Sequence, residues 1–462
     1  MLNNIEETIK KIKSETNNIP DIIYREKKIG KKTIYIIYNE PLTSSDKISD
    51  FIIRSLNNIK NVKDIKNNIN NFKWIEITDY QELCTYLHAG FTIILIEGEK
   101  THLALETKAS INRGITPPDT EFALRGSKDS FTEEYQINIG LIKKRIKNNN
   151  LWIENLQIGK YTNTNMGILY INGIAEEKLI NYVIKKIKSI NTKEILSSDY
   201  LKNLIENENK NAMPTILTTE RPDVVSKALL EGKIAIVVDN SPYVLLIPTF
   251  FNDFFKTMED DYGKSINVTL TRVIKYIAFL ITLLTPAFYI AITTYNQEMI
   301  PTDLLVSFAT QRDGVPFPAL IEALMMMLSF EILREGDLRI PNSAGSALSI
   351  VGALILGDAA VSAGIVSPIM IIVVAITSIS SLLFSEPDFI NGIRFYRLLF
   401  MIGATFLGII GIIVVFLLFL TKLVSTKSFG KPYLMPFVPV NPHGLKNSVI
   451  KKPLSKLMKK GE

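Results

Sequence analysis

The charged side chains embedded in apolar sequence are the residues best placed to do chemistry here. The segment IEALMMMLSFEILREGDLRIP, residues 321–341, opens like a membrane helix and then carries Glu331, Arg334, Glu335, Asp337 and Arg339. Glu322 lies near its start. Glu331, Arg334 and Glu335 stand at i, i+3 and i+4, so they share a helix face, and Glu331 can pair with Arg334. Arg334 or Arg339 can also answer Glu322 on a neighbouring copy. An ionisable group in a bilayer is costly unless it is paired or wet. Two readings therefore stand together. The charges form a gate or rim around a water-filled path, or they end an interfacial helix among lipid headgroups.

The next stretch, SAGSALSIVGALILGDAAVSAG at 343–364, differs from a plain anchor. Small residues recur at spacings of three and four, with Ser349, Gly352 and Ala353 on one face. Such faces let helices pack closely in lipid. They also line narrow pores that apolar rings close by dewetting. Val351 and Ile355 are the residues expected to form a constriction. Asp358 is the single charge of the span, either an ion-attracting carboxylate or a cap at a helix break near Gly357. In the polar half, TTERPD (218–223) places Glu220 and Arg221 in a strand-to-helix connection, with Pro222 at the first helical position. The loop-rich stretch 115–135 supplies Glu121 and Arg125. These four residues fit a hydrogen-bonded structural joint between subdomains.

Nothing else marks a reaction centre. The chain lacks a phosphate-binding GxxxxGK[ST], a GxGxxG, a GxSxG and an HExxH. Its three histidines are scattered and Cys84 is its one cysteine, so neither a metal site nor an internal disulfide is expected. A charge of +6 is no mark of nucleic-acid binding. The reading is a non-enzyme without cofactor.

These residues sit in two unlike regions. Before about residue 272 charges recur every few positions; beyond it come long uncharged runs. The polar region reads as α/β, with strand-like runs at 32–38, 72–77, 91–98, 102–108, 151–159 and 166–172. Residues 214–248 read as strand, helix, strand, turn and strand, the turn at Asn240-Ser241-Pro242. The expected order is an α/β subdomain at 1–112, a connector at 113–150, a second α/β subdomain at 151–256, an all-α polytopic membrane domain at 257–424 and a basic tail at 425–462. A bilayer core needs about 20 apolar helical residues. Spans are expected near 275–295, 346–366, 367–384 and 398–421. Basic residues before the first span and after the last put both termini in the cytosol. Four crossings satisfy that, so the helix at 318–335 is expected to be re-entrant or interfacial.

Seven segments carry a family resemblance: TERPD, EGKIAIVVDNSPYVLLIP, EMIPTDLL, RDGVPFPALIEAL, FEILREGDLRIP, IVGALILGDAAVSAGIVSP and SFGKPYLMPFVP, in this order. Over roughly residues 30–440 the chain resembles the A subunits of spore germinant receptors, the GerA family of spore-forming Firmicutes. Gly336 and Asp337 depart from the small apolar residues usual there. The resemblance implies a spore inner-membrane protein acting with a transporter-like B subunit and a lipoprotein C subunit. It implies a homo-oligomeric ring that conducts monovalent cations when nutrient binds, with the span at 346–364 beside the pore. A non-conducting signal-passing scaffold is the alternative, and a secondary transporter a more distant one, since no inverted repeat with broken helices is evident.

Overall fold

The computed structural model describes residues 5–16, 20–30, 32–57, 59, 61–69, 74–109, 114–121, 125–206, 211–337, 356–440 and 448–451. The chain divides into two compact units, Met1–Arg113 and Gly114–Glu462.

The first unit holds a five-stranded antiparallel sheet of β1 (Ile22–Ile29), β2 (Lys32–Asn39), β3 (Trp74–Ile77), β4 (Phe91–Ile96) and β5 (His102–Glu106), in the order β1-β2-β4-β5-β3. Strand β1 is missing from the expectation because its sequence, IIYREKKI, is charged and does not alternate. It lies at the sheet edge, where such side chains remain in water and discourage further pairing. Helices α1 (Ile5–Glu15) and α2 (Tyr80–His88) cover one face through Ile5, Ile12, Leu83 and Leu87. Asp79 caps α2 by accepting from Gln81 N at 3.0 Å. Helical residues of 45–57, with Ile48, Ile52 and Leu56 inward, cover the other face.

The second unit begins with the same plan. Strands β6 (Leu151–Ile158), β7 (Thr164–Ile171), β8 (Leu217–Thr219), β9 (Ile234–Val238) and β10 (Val244–Ile247) run β6-β7-β9-β10-β8, again all antiparallel. Ile234, Ile236 and Val238 face α4 (Glu177–Lys188) and α5 (Ser198–Glu206). Ala235 and Val237 face α3 (Tyr135–Arg145) and α6 (Pro222–Leu230). This is the period-two alternation of a strand buried on both sides. Counting from the first strand of each sheet, the two strand orders are identical, a repeat that left no readable trace in the sequence. Asn240 takes φ 63° in the β9–β10 turn, a conformation asparagine tolerates. Residues 125–145 of the expected connector belong to this unit: Phe131 donates its N–H to Glu220 O at 2.8 Å, and Phe131, Ile139 and Ile142 enter its core.

The helical region follows. It comprises α7 (Ser265–Thr294), α8 (Thr302–Arg312), α9 (Ala319–Asp337), helical residues at 356–362, α10 (Pro368–Ser381) and α11 (Pro387–Ser425). Helices α7 and α11 are long and apolar enough to cross a membrane. Yet α11 is not one rod. Gly408 has φ 58° and ψ −136°. A straight helix would separate Tyr396 from Phe419 by about 34 Å at 1.5 Å per residue. Their ring centroids lie 4.6 Å apart. The expected single span at 398–421 is therefore a hairpin: one arm ends at Leu407, and the other returns from Ile409. The uncharged run hides the turn because only a glycine's backbone freedom marks it. Asn296, just beyond α7, accepts from Ile409 N at 3.2 Å and so caps the returning arm.

An aromatic hub binds these helices to the second sheet. Phe254 stacks on Phe389 at 4.7 Å, Phe251 meets Phe279 at 5.4 Å, and Phe255 meets Phe384 at 5.7 Å. Residues after the hairpin return to the same place, with Phe251 N donating to Tyr433 O at 3.0 Å and Thr249 N to Ser428 Oγ at 3.1 Å.

Candidate functional site

Three charge clusters, the first buried and the other two partly buried, tie the helices to one another and to the sheet. The first surrounds Glu322, which is fully buried. Its Oε1 faces Arg312 Nη2 at 3.3 Å, from the end of α8. Its Oε2 accepts from Ser367 N and Ser367 Oγ, both at 3.0 Å. Tyr289 of α7 adds a hydroxyl 3.2 Å from Ser367 Oγ. Three segments thus meet on one carboxylate, and Tyr289 joins it through Ser367. A fully buried carboxylate needs this many donors, and removing one partner would strand it.

The second cluster joins α9 to the first arm of the hairpin. Glu331 Oε2 lies 2.7 Å from Arg394 Nη2, and Oε1 lies 3.6 Å from Arg397 Nη2. This corrects two expectations. Glu331 pairs with α11 rather than with Arg334, and Glu322 is answered within its own chain by Arg312. Neighbouring helices offer better-aimed guanidinium groups than the next turn of α9 does. Arg334 is half-buried and Glu335 exposed.

The third cluster roots the hairpin in the α/β unit. Lys202 of α5 places Nζ 3.1 Å from Glu386 Oε1, 2.5 Å from Asp388 Oδ2 and 2.9 Å from Thr218 Oγ1. Burial pushes the Glu386 carboxyl up to about 7, against the pull of Lys202. Next to β8, Glu220 Oε1 accepts from Thr120 N (2.6 Å), Thr120 Oγ1 (2.8 Å) and Glu121 N (3.0 Å). Glu121 in turn accepts from Thr219 Oγ1 and from Glu220 N. Burial raises Glu121 to about 7, and the Thr219 hydrogen bond opposes the rise. Arg221 grips Asp223 through two bonds, at 2.7 and 3.1 Å, and donates to Glu121 O and Ser127 O. Glu121, Glu220 and Arg221 thus meet, fastening Thr120, Glu121 and Ser127 to the second sheet, while Arg125 is exposed.

Of the expected constriction, Val351, Ile355, Ser349, Gly352 and Ala353 lie outside the described residues, as does Arg339. Asp358 is exposed on the helical turn 356–362. The sequence reading missed Lys202, Arg312, Ser367, Glu386, Arg394 and Arg397. The one signal available was the pair Arg394 and Arg397, spaced i, i+3 ahead of an uncharged run. Among the described residues no group of three or more His, Cys, Asp or Glu is placed to hold a metal ion.

Two α/β units followed by apolar helices, one of them a hairpin rooted by ion pairs, define a multidomain protein whose charged clusters tie its helices to one another and to the second sheet. Residues 10–462 match the family described as Bacillus/Clostridium GerA spore germination protein. Spore germination protein KA of Bacillus subtilis (strain 168) is 40% identical over 462 residues, covering 97% of this chain and 84% of that one. Spore germination protein GerLA of Bacillus cereus is 32% identical, covering 99% and 95%. The crystallised N-terminal domain of the A subunit of the Bacillus megaterium spore germinant receptor GerK3 is 30% identical, matching 54% of this chain and 96% of that one, with a TM-score of 0.23. The chain belongs to the GerA family of spore germinant receptor A subunits.

Proposed function

We propose that this chain acts in the spore inner membrane as a subunit of a nutrient germinant receptor, with B- and C-type partners, and that copies of it assemble around a path for monovalent cations. The hairpin at Gly408 carries the membrane part of this reading. Each arm is about 26 Å long from the hub to the turn, close to the roughly 30 Å of a bilayer core. Its outer surface is apolar, with Phe406 72% and Ile410 68% exposed. Water would disfavour that face, whereas lipid or a second protein accepts it. The Glu322 and Glu331 clusters support a conducting assembly. Ionisable groups within apolar helices are placed where they pair with each other or meet water.

The narrowest ring is assigned to Val351 and Ile355, with Ser349, Gly352 and Ala353 behind them and Asp358 at one mouth. Ligand binding elsewhere in the complex shifts the ring between closed and open states. The test is cation flux from liposomes containing the purified chain. Val351→Ala and Ile355→Ala are expected to leak without nutrient, and spores carrying either are expected to germinate spontaneously. Wild-type flux and germination in both variants would remove these positions from the gate. The root cluster favours a second reading, in which the chain conducts nothing and passes a signal from its α/β units to its helices. Absence of flux from every oligomeric form of the chain would select it.

A further inference from the structure

A groove of about 770 Å³ lies where the hairpin leaves the second α/β unit. That is within the range of small-molecule sites, about 300–1,000 Å³. Its lining changes character along its length. One end carries Asn203 and Glu206 from α5 and Lys422 from the returning arm. The other is walled by Leu399 and Ile402 of the first arm and Leu418 of the second.

The polar end is organised and carries both signs of charge. Glu206 Oε1 accepts from Thr215 N at 2.6 Å, Ile216 N at 2.8 Å and Thr215 Oγ1 at 3.1 Å. These three donors fix the carboxyl while Oε2 makes no hydrogen bond among the described residues. Lys422 is exposed and makes no ion pair among the described residues. The apolar end is open on one side, with Leu399 36%, Ile402 39% and Leu418 65% exposed. Leu417 and Ile410 of the returning arm are exposed as well.

An occupant that suits both ends has apolar chains on one side and a paired cation and anion on the other. A free amino acid matches the charges and leaves the apolar wall bare. A purely anionic lipid answers Lys422 and leaves Glu206 Oε2, which Lys202 reaches only through its charge, without a donor. A choline headgroup has no N–H to donate. We propose that this groove binds one ethanolamine-type phospholipid per chain, its ammonium on Glu206 Oε2, its phosphate on Lys422 and its acyl chains along Leu399, Ile402 and Leu418. Because α5 also carries Lys202, the lipid would sit against the helix that roots the hairpin.

The inference rests on the hairpin being embedded in a bilayer, which membrane fractionation and detergent dependence check separately. The deciding experiment is native mass spectrometry of the full-length chain extracted in mild detergent, with phosphatidylethanolamine, phosphatidylglycerol and phosphatidylcholine offered in equal amounts. One phosphatidylethanolamine is expected per chain, retained roughly tenfold or more over the other two, as expected for a charge-assisted hydrogen bond. Lys422→Glu and Leu399→Trp should each reduce that retention by a similar factor at an unchanged thermal transition. Glu206→Gln should abolish the preference over phosphatidylcholine. Should Leu399→Trp fail to fold, the exposed Lys422→Glu change decides. Equal retention of all three lipids, or full retention in Lys422→Glu, overturns the proposal. So does displacement of the lipid by soluble phosphoethanolamine, or a polypeptide found in the groove instead.

Discussion

At the scale of single residues, the buried carboxyls beneath the hairpin make stability depend on pH. Burial lifts Glu121 and Glu386 from an ordinary 4.5 to about 7. A carboxyl raised on folding binds protons that the unfolded chain has already released. Its favourable contribution is therefore present at the acidic end and is lost as pH rises through the folded value. Asp253, held low by Lys233 and Lys256 against burial, does not titrate in that window. The second unit is expected to melt at a lower temperature at pH 8 than at pH 6. Glu121→Gln, which keeps an acceptor for Thr219 and Glu220, should flatten that slope. It should also add on the order of 2 kcal/mol at pH 8. Calorimetry on both proteins checks this, and equal melting temperatures at pH 6 and 8 in the parent rule it out. The residues involved were only partly legible. TTERPD identified Glu220 and Arg221 because a charged pair before a helix-starting proline has a local role. Arg312, Ser367, Arg394 and Arg397 find their partners across 10 to 66 residues of chain, which spacing along one helix does not reveal.

At the scale of elements, the hairpin depends on Gly408. A Cβ there would lie 2.6 Å from Asn296 Oδ1 and 2.8 Å from Tyr295 Cβ, at a φ that side chains avoid. Gly408→Val should cost about 2–5 kcal/mol from strain and overpacking together. Nitroxides at Leu399 and Leu418 report the shape directly. They should be close in the parent and approach about 28 Å if the variant straightens α11. A short distance and unchanged melting in Gly408→Val would show that the turn is set elsewhere. The sequence showed why these residues are apolar but not that they turn back. No proline or polar break interrupts 398–421, and the pair Ala404 and Gly408 reads as ordinary close packing. Ala404 does pack, fully buried. The two sheets were legible for the opposite reason, since their inner strands are continuous apolar runs bounded by turn residues. Only the charged edge strand β1 escaped.

At the scale of the whole molecule, the hairpin changes how crossings are counted. The chain leaves the second α/β unit through α7, whose Arg272 binds Asp260 at 2.7 Å. It returns at Thr426, whose hydroxyl accepts from Asn211 at 2.8 Å. Both roots lie on one unit, so on the proposed membrane reading the number of crossings between them must be even, in keeping with basic residues on one side. We propose that α7, the shorter apolar α10 and the two arms supply four. If the expected span at 346–366 crosses as well, parity demands a sixth, and α9 is the helix available for it. The charge clusters give α9 the right direction. Glu322 lies against Tyr289 and Ser367, toward the end of the bundle where Asn296 caps the hairpin. Glu331 lies against Arg394 and Arg397, about two to three turns from the rooted end. The helix first read as re-entrant is therefore proposed to traverse, its charges neutralised on the way by Arg312 and by the first arm. In a Cys84→Ser background, cysteines at Leu320 and Gly336 should react with impermeant reagents from opposite sides of sealed vesicles. Tags on the two termini should report the same side. Labelling of both cysteines from one side would restore the re-entrant reading and leave the bundle with four crossings.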